Sequence, residues 1–67
     1  MEIQRRLARN LVRLREERGW SQEELAYQAG LHRTYVSGIE RRVRNPTIMI
    51  LERLAKALGV KASTLIE

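Results

Sequence analysis

Sixty-seven residues are enough for one domain and exclude a second; a chain this short buries only about 60% of its unfolded surface. The absence of cysteine removes disulfides and thiolate metal sites, and the one histidine has no aspartate or cysteine to work with, so neither a metal nor another cofactor is expected. Thirteen Lys and Arg against eight acids give a net charge of +5 and a pI near 10.8, which points to a polyanionic partner and excludes an acidic surface protein.

The first element is signalled by Ile3, Leu7, Leu11 and Leu14, spaced by four, four and three, with Ala8 and Val12 widening the stripe. This predicts a helix over about residues 2–18, with Arg5, Arg6, Arg9, Arg13 and Glu16 on its other faces and Gly19 as its stop. Ser21-Gln22-Glu23-Glu24 is a capping box, and Trp20 with Leu25 forms a hydrophobic staple, so a second helix is expected over 22–29 with Gly30 ending it. Leu31 and His32 separate Gly30 from a third helix over about 33–41, whose inner side carries Val36 and Ile39, with Tyr35 beside them. Gly38 costs about 1 kcal/mol there relative to Ala, which suits a close approach of other chain or a short helix held by packing.

Arg41-Arg42-Val43-Arg44-Asn45-Pro46 reads as a basic loop, and Thr47 as the cap of a fourth helix. The inner stripe of that helix is expected at Ile48, Leu51, Leu54, Ala55 and Leu58, with Gly59 as the stop; Leu65 and Ile66 open a short fifth helix. The longest wholly apolar run, Ile48-Met49-Ile50-Leu51, is far short of the ~20 residues of a membrane span, and residues 1–6 lack the apolar stretch of a secretory signal. A compact all-α domain of five helices, cytoplasmic and without a membrane partner, is the expectation.

The informative stretch runs from Gln22 to Glu40. Two short helices joined by a tight glycine turn form a helix-turn-helix unit, with Ala26 small where the axes cross and Val36 and Ile39 fastening the second helix beneath the first. Arg33, Thr34 and Ser37 then lie outward on the first turns of that second helix, where this motif meets base edges in the major groove. Arg33 can donate two hydrogen bonds to guanine O6 and N7, Thr34 can bond or touch a thymine methyl, and Tyr35 and Ser37 suit phosphate or edge contacts. Phosphates would be held by the second helix's N-terminus with Ser21 and Gln22, and on the other side by Arg41, Arg42, Arg44 and Asn45.

These residues resemble the lambda-repressor-like regulators of the Cro/Xre type. The likeness covers residues 11–65 and rests on Arg15-Glu16-Glu17-Arg18-Gly19-Trp20-Ser21-Gln22-Glu23-Glu24-Leu25-Ala26, on Gly30, and on residues 46–60. Arg33-Thr34-Tyr35-Val36-Ser37-Gly38-Ile39-Glu40-Arg41 is most similar to the controller proteins of restriction–modification systems. The resemblance implies a homodimer on a partly palindromic operator, regulation of transcription with contact to the transcription machinery, base contacts at Arg33 and Thr34 with Arg44 as a third candidate, and a structural ion pair between Arg15 and Glu40. His32 departs from the pattern, because Ser, Asp or Asn usually caps the reading helix there; a poorer cap is expected, with either a looser start or another partner for it.

Met49 and Ile50 fall off the inner stripe, so helices four and five are expected to form a two-fold contact through Met49, Ile50, Val60, Leu65 and Ile66. Two other functions compete with DNA regulation: an antitoxin-type module that neutralises a partner protein, and a basic helix acting at membranes through Arg5, Arg6, Arg9 and Arg13. The membrane reading is the weaker, since the apolar side of the first helix is matched by a full set of core residues elsewhere. An enzyme is not expected, for no nucleophile–base pair or metal set stands out.

Overall fold

The computed structural model describes residues 2–67. Four α-helices are present: α1 (Glu2–Glu17), α2 (Gln22–Ala29), α3 (Arg33–Glu40) and α4 (Ile48–Leu58); a 3₁₀ segment, Ala62–Ile66, follows. No strand occurs among the described residues. The expected fifth helix is therefore corrected to five residues of 3₁₀ turn. Its hydrogen bonding has the tighter register, Thr64 N–H donating to the Lys61 carbonyl at 3.0 Å, and Leu65 and Ile66 end the segment rather than open it.

Helix boundaries follow local chemistry. Ser21 Oγ accepts from the Glu24 amide at 3.0 Å, and Thr47 Oγ1 accepts from Ile50 at 3.1 Å, each satisfying an otherwise orphaned donor. The reciprocal half of the capping box does not form, because the Glu24 carboxylate accepts from Gln28 Nε2 at 2.7 Å instead. Gly30, at φ 70°, closes α2 in the left-handed region, its N–H directed to the Ala26 and Tyr27 carbonyls.

The core gathers Leu7, Leu11 and Leu14 of α1, Leu25, Ala26 and Ala29 of α2, Val36 and Ile39 of α3, Leu54, Ala55 and Leu58 of α4, and Leu65. α2 packs on α3 and α4, while α1 crosses α3 and the 3₁₀ segment. Trp20 lies half-buried against this core. At the start of α4 the stripe differs from expectation. Ile48 is 84% exposed and Met49 76%, whereas Ile50 packs partly on the core.

A buried polar residue organises the 3₁₀ segment. Asn10 is 5% exposed on the inner side of α1, and its Nδ2 donates to the carbonyls of Thr64, Leu65 and Glu67 at 3.3, 2.9 and 3.1 Å. Those bonds satisfy carbonyls that a short 3₁₀ turn leaves open, and they bring Leu65 fully into the core. Leu65, expected at a dimer contact, is thereby corrected: its side chain fills this chain's own interior.

Candidate nucleic-acid interface

α3 is anchored from behind. Val36 and Ile39 are 0% and 1% exposed, so the opposite side of the helix, starting at Arg33 and Thr34, faces solvent. The rear is further clamped by Glu40, whose carboxylate takes two guanidinium hydrogen bonds from Arg15, at 2.7 Å from Nε and 2.9 Å from Nη2, and a third from Gln22 Nε2 at 2.8 Å. Arg15 also donates to the Trp20 carbonyl at 3.1 Å. Hydrogen bonding to Glu40 holds the Arg15 guanidinium above its ordinary arginine range, with partial burial opposing. The pair thus joins α1, α2 and α3, and it engages one of the two N–H donors of the Gln22 amide that the sequence assigned to phosphate.

The entry to α3 is better capped than expected. His32 sits at the N-cap with extended backbone, and its Nδ1 accepts from the Thr34 amide at 3.2 Å. Thr34 Oγ1 lies 2.8 Å from the same nitrogen. The poorer cap predicted from the identity of His32 is corrected, since imidazole presents an acceptor where a Ser or Asn oxygen would stand.

The basic loop divides. Arg44 folds back on α3: its guanidinium stands 4.9 Å from the centroid of the Tyr35 ring, and a Cβ on Gly38 would meet Arg44 Cβ at 3.2 Å. The absent side chain at Gly38 is what admits the Arg44 stem. Val43 N–H donates to the Gly38 carbonyl at 3.0 Å, fixing the loop to the same helix. Arg41 Nε donates to Ser37 Oγ at 3.2 Å, so Ser37 is turned toward Arg41. Tyr35 is half-buried between the core and Arg44. Asn45, which accepts from Gln4, ties the loop to α1. Arg42 goes elsewhere: with φ 63° it lies to the side of α1, where it lines an open hollow of about 740 Å³ with Arg5, Arg9 and Arg13 and with Glu16, Glu17 and Glu40.

The structure therefore gathers Arg33, Thr34, Tyr35, Ser37, Arg41 and Arg44 along one helix and its exit. Ser21 and Gln22 stand at the start of α2, and Arg42 lies apart. Sequence reasoning missed Arg53, which donates from Nε to the Ala29 carbonyl at 3.2 Å and from Nη2 to the Gly30 carbonyl at 2.7 Å, bracing the turn between α2 and α3. No periodicity signals such a contact. Among the described residues no group of His, Cys, Asp or Glu could hold a metal ion, and no helix is long and apolar enough to cross a membrane.

Two helices set around a left-handed glycine, the second presenting a polar outer side, define a helix-turn-helix protein, and the chain belongs to the Helix-turn-helix family, whose profile matches residues 11–65. It is 52% identical over 60 residues to a hypothetical transcription factor of Neisseria meningitidis serogroup B, covering 90% of this chain and 57% of that protein. It is 44% identical over 66 residues to the control protein C.SmaI of Serratia marcescens, covering 98% of this chain and 79% of that one. Among solved structures it is similar to the restriction–modification controller protein C.Esp1396I, crystallised as a tetramer with its natural 35 base-pair operator. That likeness has a TM-score of 0.84 and 41% identity, over 94% of this chain and 83% of the other.

Proposed function

We propose that this chain is a cytoplasmic, sequence-specific regulator of transcription that binds double-stranded DNA as a homodimer on a partly palindromic operator, in the manner of a restriction–modification controller. The observation that carries the reading is the outward start of α3: Arg33 and Thr34 are exposed on a helix whose opposite side is sealed by Val36 and Ile39. In this role Arg33 reads a guanine and Thr34 an adjacent base, while Tyr35, Ser37, Arg41 and Arg44 fix the register through phosphate and groove contacts. Ser21 and Gln22 with the α2 N-terminus hold the flanking strand, and Asn45 and Arg42 contact backbone farther out. The controller-type relatives support this reading, as does the net charge of +5.

The second copy joins through α4 and the 3₁₀ segment, where Met49 and Ile48 are exposed and Ile50, Val60 and Ile66 are half-buried. Contact with the transcription machinery is part of the same proposal.

Selection of bound sites from a pool of random duplexes tests the reading. A defined motif should emerge, and its affinity should fall steeply with salt as counterions are released. Arg33→Ala should abolish preference at one base position, a loss of about 1–3 kcal/mol there, whereas Arg42→Ala should weaken all sequences alike. An unchanged motif with Arg33→Ala would remove α3 as the reading helix.

A further inference from the structure

We infer that His32 determines which base edge Thr34 accepts, by fixing the direction of the Thr34 hydroxyl. The inference rests on the DNA-binding reading above and assigns a specificity role to a residue that makes no base contact of its own.

The Thr34 backbone N–H can only donate, and it is directed at His32 Nδ1 over 3.2 Å. Nδ1 is therefore unprotonated, and the neutral ring carries its proton on Nε2. Thr34 Oγ1 lies 2.8 Å from the same nitrogen, and facing an acceptor it must be the donor. The single lone pair of Nδ1 faces both donors, the hydroxyl at the shorter distance. The only hydroxyl proton of Thr34 is thus committed inward, and its oxygen offers lone pairs alone to whatever lies in front of α3. Such an oxygen suits an amino edge, adenine N6 or cytosine N4, and is repelled by the acceptor edges of guanine O6 or thymine O4.

Protonation reverses the pattern. A proton on Nδ1 turns that atom into a donor; the Nδ1–H then points at Thr34 Oγ1, and the hydroxyl proton rotates outward. Thr34 becomes a donor toward the groove and favours guanine O6 or thymine O4. The Thr34 amide loses its cap at the same time. The hollow beside His32 is lined by Glu23 and Tyr27 of α2 and by Arg33 of α3. The added charge attracts phosphate whatever the sequence; only the change of preference at one base pair reports on the hydroxyl.

The test is selection from random duplexes at about pH 8 and about pH 5.5 at fixed ionic strength, spanning the range in which imidazoles titrate. The wild type should enrich an amino-bearing edge at one position at the higher pH. At the lower pH enrichment there should move toward an acceptor edge by roughly threefold to tenfold, with other positions unchanged. His32→Asn supplies an oxygen acceptor that does not titrate; it should keep the high-pH motif at both pH values. Thr34→Val should lose the preference and its pH dependence together. A motif that emerges but does not move with pH overturns the role of His32 and leaves the DNA reading standing, as does a shift that persists in His32→Asn. Failure to enrich any motif at either pH overturns both.

Discussion

Arg15 and Glu40 lie 25 positions apart in the chain, yet their side chains are 14% and 5% exposed and meet through two parallel hydrogen bonds. Truncating one partner of a pair this well hidden strands the other, so Arg15→Ala should destabilise the fold by about 3 kcal/mol, read from the midpoint of urea unfolding. The pH dependence follows from the raised arginine pKa. A group raised on folding stabilises fully below its unfolded pKa and loses that contribution only as pH climbs through the folded value. The window therefore lies at strongly alkaline pH, and the loss caused by Arg15→Ala should be the same at about pH 7 and about pH 9. A penalty that disappeared at the higher pH would contradict an intact pair. The resemblance to Cro/Xre regulators had implied this contact; nothing in the local sequence around either residue could.

At the scale of elements, local signals and distant ones separate cleanly. Ser21, Thr47, Gly30 and Gly59 marked helix ends because a cap is a contact within a few residues of itself, and each stands where the sequence placed it. The inner stripe of α1 was equally readable at Leu7, Leu11 and Leu14. Ile48 and Leu65 were not, since periodicity tells which residues share a side but not where the neighbouring helix ends. Asn10 and Arg53 escaped for a related reason: a polar residue bonded to carbonyls 54 or 24 positions away resembles any solvated one in sequence. Asn10→Ala leaves buried carbonyls at the 3₁₀ segment without a donor, and should cost about 2 kcal/mol. Amide exchange should show protection lost first from residues 62–66 while α2 and α3 hold. Equal loss across all elements would mean that Asn10 supports the whole core rather than that segment.

For the whole molecule, size sets a requirement on recognition. One copy measures 26 × 22 × 21 Å, too short to reach into two successive major grooves about 34 Å apart. Under the proposed function a palindrome needs two copies, and the exposed Met49 and Ile48 offer the apolar area for joining them. Wild-type protein should sediment as a dimer at high micromolar concentration. Met49→Glu should give a monomer with an unchanged helical spectrum and a far weaker affinity for a two-half-site duplex than the wild type has. A wild-type monomer under those conditions removes the interface.

Arg42 carries a tension of its own. Its backbone, at φ 63°, occupies a conformation that costs an ordinary side chain about 1–2 kcal/mol and that glycine accepts without penalty. Glycine in place of Arg42 would relieve that cost while removing a cation from a hollow lined by Arg5, Arg9 and Arg13 and by Glu16, Glu17 and Glu40. Durability and electrostatic reach thus oppose one another at a single bond rotation, so a hardier version of this protein is also one with a fainter pull on polyanions.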